Sequence, residues 1–235
     1  MNINKAFSYP FEDKQWISKL GIAAVIGMIP ILNFAWSGYL VGILRNVVSG
    51  ASEPLPNWDN FEKKFMDGLI LFAAGLVYGL PILLVACLPL GIMAISGTLS
   101  SSGDFQDIGN ILGGIGGVVG LCLGGLVIVY GLFLSIVYPA ILVIFAREGT
   151  FASCFKFREV IDLISKNAGN FFTAWGISLA AALGVGFIAG IVSGVIGWIP
   201  CVGWVVALVA SMGSTVYATA VYAHLFGQFG AEAVS

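Results

Sequence analysis

Few side chains in this sequence are suited to bond-making chemistry, and none are grouped for it. The 235 residues hold one histidine, four cysteines, 12 acids and 10 bases. His224 lies near the end of a long apolar stretch. One imidazole is neither a metal site nor a triad, so it reads as a hydrogen-bonded structural residue. Cys87, Cys122, Cys154 and Cys201 form no C-x-x-C pair and have no histidine beside them. That pattern favours isolated thiols in packed helices over metal ligation or a disulfide framework. Gly184-Val185-Gly186-Phe187-Ile188-Ala189 matches the G-x-G-x-x-A string of dinucleotide sites but lacks the strand that must precede it. Ser211, Ser214, Thr215, Thr219 and Tyr222, with His224, give the last apolar stretch a mildly polar stripe. Such a stripe either lines a groove or cross-links helices. Ion-coupled transporters usually carry an intramembrane carboxylate or cation, and the apolar stretches here have none. The expectation is no catalytic residue, no cofactor, no metal and no enzyme.

The distribution of charge shows what must position these groups. Hydrophobic residues make up 59% of the chain and charged residues 9%, against about 25% charged in a soluble domain. Between Lys19 and Arg45 lie 25 residues without a charge; the gaps from Asp67 to Asp104, Asp107 to Arg147 and Lys166 to Glu232 hold 36, 39 and 65. This partitioning excludes a soluble globule, a disordered chain and a nucleic-acid binder. It describes a multi-pass helical membrane protein. Glu12, Asp13, Lys14 and Lys19 interrupt the N-terminal segment, so no cleaved signal peptide is expected.

A crossing takes about 20 apolar residues, because the hydrocarbon core is about 30 Å thick and a helix rises about 1.5 Å per residue. The 65-residue gap must therefore fold back. Gly197-Trp198-Ile199-Pro200-Cys201-Val202-Gly203-Trp204 is the place. Pro200 removes a backbone donor, the glycines ease the turn, and Trp198 and Trp204 suit a membrane–water boundary. Spans are expected over 171–199 and 202–226, followed by a tail over 227–235. The 36- and 39-residue gaps are each read as one helix, 69–96 and 111–146, joined by a polar outer loop over 97–110. Pro81 and Pro89 should bend the first of these.

The segment 20–44 is long enough to cross once, yet Pro30 interrupts it. Ile26-Gly27-Met28-Ile29-Pro30 echoes Ile196-Gly197-Trp198-Ile199-Pro200. If Pro30 also reverses the chain, 20–44 is a re-entrant hairpin and all ten basic residues share one face, as the positive-inside bias favours. A full crossing would place three outside. The expected fold is all-α, with four full spans and a re-entrant hairpin; five full spans is the alternative. Residues 1–19, 45–68 and 147–170 then lie at the cytoplasmic face. Asn57 is expected to cap an interfacial helix bearing Trp58, Phe61, Phe65 and Leu69. A second, within 147–170, has Phe151, Cys154, Phe157, Ile161 and Ile164 on one stripe and Lys156, Glu159, Asp162 and Lys166 on the other. Trp16 and Trp58 join Trp198 and Trp204 as interfacial anchors.

Glycine, with 32 copies, recurs at four-residue spacing: Gly113/Gly117, Gly116/Gly120/Gly124, Gly186/Gly190/Gly194, Gly38/Gly42 and Gly75/Gly79. In lipid such spacing lets helix backbones approach closely. Packing within one subunit is the first reading and self-association the second.

Tyr9-Pro10-Phe11, Ile29-Pro30-Ile31-Leu32-Asn33, Gly38-Tyr39-Leu40, Arg45-Asn46-Val47 and above all Leu55-Pro56-Asn57-Trp58-Asp59 resemble an uncharacterised prokaryotic membrane family, domain of unknown function four-thousand-and-thirteen. Ala146-Arg147-Glu148-Gly149, Asn167-Ala168-Gly169-Asn170 and Ala223-His224-Leu225-Phe226-Gly227-Gln228 extend the resemblance over nearly the whole chain. It implies a single helical membrane unit of bacteria or archaea and carries over no catalytic residue. The expected role is a non-enzymatic scaffold or accessory subunit of the cytoplasmic membrane, packing with itself, lipid or another membrane protein. A passive channel or permease for a small or apolar solute is the alternative.

Overall fold

Apolar runs without strand-like alternation give helix after helix across residues 1–233, which the computed structural model describes. In order these are α1 (Ile3–Glu12), α2 (Trp16–Met28), α3 (Asn33–Val48), α4 (Phe61–Ser100), α5 (Gln106–Glu148), a 3-10 turn (Phe151–Phe155), α6 (Phe157–Lys166), α7 (Ala168–Ile196) and α8 (Val202–Glu232). Among the described residues α4, α5, α7 and α8 are long and apolar enough to cross a membrane, and α2 is a shorter apolar helix. Leu84, Leu121 and Phe187 on these helices are 70%, 81% and 70% exposed. Such surface is at home against lipid or another membrane protein.

Several boundaries differ from the sequence reading. No separate interfacial helix forms in 45–68, and Asn57 caps nothing. Phe61, Phe65 and Leu69 are in phase with the apolar span behind them, so one helix runs unbroken from Phe61 to Ser100, through Pro81 and Pro89. The segment 1–19 is not a plain tether but contains α1, whose first turn is capped by Asn2 Oδ1 accepting from the Lys5 N–H at 3.0 Å. The expected tail 227–235 continues α8 as far as Glu232, because Phe226, Phe229 and Gly230 are buried. Residues 147–170 hold a 3-10 turn and α6, not one helix. Within them the buried side chains are Ser153, Cys154, Val160 and Leu163, while Phe151, Phe157 and Ile161 of the expected stripe face outward.

The chain divides into two compact units: Met1–Phe72 with Pro139–Ser235, and Ala73–Tyr138. All ten basic residues belong to the first. Its centre is the C-terminal half of α8. Val216, Ala220, Val221, Leu225, Phe226 and Phe229 there are buried, and Phe171 of α7 packs edge-on against both phenylalanines at 5.6 and 5.3 Å. A helix that is apolar all round has to be enclosed, and α1, α3 and α7 enclose this one.

The five-residue echo in the sequence is also an echo in backbone geometry. Ile31 and Cys201, each directly after a proline, are the two non-glycine residues with positive φ among those described, at 74° and 65°. The Ile29 N–H donates to Ile26 O and the Asn33 N–H to Ile29 O; the Ile199 N–H donates to Ile196 O and the Gly203 N–H to Ile199 O. A β-branched residue in that region is strained, and two copies of one strained turn show what each proline does. Pro200 joins α7 to α8, and Pro30 joins α2 to α3.

The Pro30 turn returns the chain to the end it came from. Trp58 donates its indole N–H to the Lys19 carbonyl at 2.9 Å and stacks on Tyr39 at 4.7 Å. One straight helix would hold Lys19 and Tyr39 about 30 Å apart. Asn2 and Gln228 exchange two hydrogen bonds, and a Cβ on Gly227 would meet the Val47 side chain. The start of α1 and the end of α3 thus lie beside the same turn of α8.

Single-thiol variants labelled with a membrane-impermeant maleimide should therefore modify Ser8→Cys and Ser165→Cys from one face and Cys201 from the other. Labelling of Ser8→Cys from the Cys201 side would mean a full crossing. Native Cys154 is a poor marker, since it is buried and burial pushes its thiol up to about 11.

Candidate functional site

The closest helix contact in the first unit is a reciprocal glycine crossing. A Cβ built on Gly38 of α3 would strike the Lys64 carbonyl of α4, and one on Gly68 of α4 would strike the Phe34 carbonyl of α3. Each pair is four residues apart on its own helix, so two antiparallel backbones touch over one full turn. Phe34 rings on Phe65 and Phe72 flank the contact at 6.0 and 4.8 Å.

This crossing brings Arg45, at the end of α3, against Asp67 of α4. The guanidinium donates through both Nη atoms to the Asp67 carboxylate, and Nε donates to the Ala146 carbonyl of α5 at 2.9 Å. It also stands 5.9 Å from the Phe145 ring centroid. One side chain thus ties three helices, and a planar fork with five N–H groups suits that task better than an ammonium. Lys64 and Lys63 lie beside it. The Lys64 Nζ is 5.9 Å from the Trp58 ring centroid.

A second ionic contact closes the base of α2. Lys19 Nζ donates to Asp13 Oδ2 at 2.6 Å and to the Leu55 carbonyl at 3.2 Å, with both side chains buried. Burial opposes the Asp13 carboxylate. The Lys19 hydrogen bond, the Gln15 N–H and the Lys19 charge outweigh it, so the group is held below the ordinary Asp range. Its stabilising effect is present above the unfolded-state pKa and is lost as pH falls through the lower, folded one.

The groups singled out in the sequence are dispersed. His224 is buried, stacked on Tyr9 at 4.3 Å, with Nδ1 2.9 Å from Gln228 Nε2. Tyr9 donates to the Ala220 carbonyl at 3.0 Å. The imidazole is thus a packing element between α1 and α8. The polar stripe is not part of the apolar groove along α8. Ser214 and Thr215 donate to the Ser211 carbonyl and Thr219 to the Thr215 carbonyl, so these hydroxyls serve their own helix. The groove along α8 lies on its other side, between α2 and α8. It is a cavity of about 490 Å³ lined by apolar residues such as Leu20, Met28, Leu208 and Met212.

Trp58 bridges the two arms of the α2–α3 hairpin through Lys19 and Tyr39. Trp16 begins α2 with its ring edge-on to Phe11 at 5.1 Å. Trp198 and Trp204, at the Pro200 turn, are 78% and 68% exposed.

Of the glycines singled out, Gly113, Gly116 and Gly120 face α4 within the second unit. Added Cβ atoms would meet Ser96 Oγ at 2.7 Å, Ile92 Cγ2 at 2.9 Å and Pro89 Cβ at 3.6 Å. Gly109, four residues before Gly113 but not among the glycines singled out, completes that seam against Ser100. Among the described residues, a Cβ added at Gly117, Gly124, Gly186, Gly190 or Gly194 would meet nothing within 4 Å. The missed contacts, Gly68, Gly227 and Gly230, have no regular spacing in sequence. Their only signal is small size opposite a bulky neighbour.

Four apolar spanning helices, a helical hairpin and a first unit that holds every basic residue define a polytopic helical membrane protein. The family model described as Protein of unknown function (DUF4013) matches residues 21–194, and the chain belongs to that family. The match takes in the Pro30 turn, the α3–α4 glycine crossing and Arg45. No curated protein and no solved structure matches the chain.

Proposed function

We propose that this protein is a non-enzymatic membrane scaffold or accessory subunit whose outer helices pack against a second copy or another membrane protein. It resides in the cytoplasmic membrane of a prokaryote with its basic end inside, and its α2–α3 hairpin re-enters that face. Membrane lipid and membrane protein are its partners, not nucleic acid. The supporting observation is the open glycine faces. Among the described residues, the positions where side chains would stand at Gly186, Gly190 and Gly194 on α7, and at Gly117 and Gly124 on α5, are open space. Evenly spaced small residues that face open space are suited to the close approach of a further helix.

The test is the native mass of the protein extracted from its own membrane, together with what co-purifies, for wild type and Gly190→Leu. The wild type should run as a defined assembly. The variant should lose its companion while its own melting in detergent stays within about 0.5 kcal/mol of wild type. A lone monomer, or an assembly indifferent to Gly190→Leu, would overturn the reading. A homogeneous ring of copies passing small solutes would favour a passive channel instead.

A further inference from the structure

The reciprocal glycine crossing leaves a polar cleft between the last turn of α3 and the first turns of α4, about 150 Å³ in volume. At about 30 Å³ per water it has room for about five waters. Arg45, Asn46, Asn60, Lys63, Lys64 and Asp67 line it. Three of these are cations and one is a carboxylate, and that carboxylate is already held by Arg45.

Lys64 is the informative member. It is only 9% exposed, and among the described residues no carboxylate lies within ion-pair distance of its ammonium. A buried charge ordinarily has a partner. Lys64 has the face of Trp58 and, otherwise, the cleft. Lys63 forms no ion pair either among the described residues. Arg45 spends three of its five N–H groups on Asp67 and Ala146, leaving two for another acceptor. Asp59 and Asp67 bear on Lys64 only through space, without a hydrogen bond.

We propose that this cleft binds a phosphate-type oxyanion, held by Lys63, Lys64 and the remaining N–H groups of Arg45. The lining carries a net charge of +2, which matches a phosphate monoester dianion and is only half met by a carboxylate. Two ammonium groups act as point charges toward phosphate, and a guanidinium adds directed donors. The inference does not depend on the scaffold reading, since it concerns the α3–α4 end and not the open glycine faces.

The full-length protein in neutral detergent, stripped of lipid, is titrated with inorganic phosphate and with short-chain phosphatidic acid while its melting is followed. Wild type should show saturable stabilisation. Lys63→Gln/Lys64→Gln should weaken the apparent affinity at least tenfold, and a Lys156→Gln/Arg158→Gln control should leave it unchanged. If phosphatidic acid binds more than tenfold tighter than inorganic phosphate, the natural source is a lipid headgroup. Equal affinities mean a soluble phosphate. Should the double variant fail to fold, the exposed Lys63→Gln alone should weaken binding severalfold. No saturable response in wild type, or an unchanged affinity in the lysine variants, overturns the site.

Discussion

Gly38→Ala and Gly68→Ala are each expected to cost about 3 kcal/mol or more, the upper end of overpacking penalties. A methyl group at either position would occupy the space of a backbone carbonyl, Lys64 in one case and Phe34 in the other. A side chain in the way can rotate. A carbonyl inside a helix can retreat only if the helix retreats with it. The whole crossing must then open, taking with it the Phe34 contacts to Phe65 and Phe72 and the approach of Arg45 to Asp67. The double variant should cost little more than the worse single one, because both clashes are relieved by one separation of α3 from α4. Gly190→Ala is the control, with nothing within 4 Å of the added methyl. Thermal unfolding in detergent decides the matter: wild-type melting for Gly38→Ala would mean that α3 and α4 do not touch there.

The contrast between these glycines shows what the sequence carried and what it did not. The four-residue rule found Gly38 and Gly42 but ranked them no higher than Gly186, Gly190 and Gly194, where an added Cβ would meet nothing within 4 Å among the described residues. Spacing tells which face of a helix is small. It does not tell what stands opposite. Gly68 belongs to no repeat, and its role exists only because Phe34 faces it from another helix. Helix existence was readable from the charge-free runs. Helix ends were not, because α8 is prolonged by burial under α1 and α3, and α4 by an amphipathic stripe in phase with its span. The Pro30 reversal was readable because a local conformation was at stake. A strained turn made by the same five-residue pattern takes the same φ at Ile31 and Cys201. The bridging role of Trp58 was not readable for the opposite reason, since its partners Lys19 and Tyr39 are far away in sequence.

Arg45→Met is expected to destabilise the protein by about 2–4 kcal/mol. The cost of breaking a buried pair lies in the partner left behind, and here Asp67 would keep its charge with a side chain only 10% exposed. The lower part of that range applies because the Arg45 side chain is still 24% exposed. The Ala146 carbonyl loses its donor as well. Arg45→Lys should recover only a part, since one ammonium cannot reach Asp67 with two donors and Ala146 with a third. The decisive variant is Arg45→Met with Asp67→Asn. If stranded charge is the main cost, removing the carboxylate's charge should restore a good part of the stability lost in Arg45→Met alone. The coupling measured by the cycle should be at least about 1 kcal/mol. Strict additivity would place the cost elsewhere, in the lost Phe145 and Ala146 contacts, and Arg45 would then be a packing residue that happens to be charged.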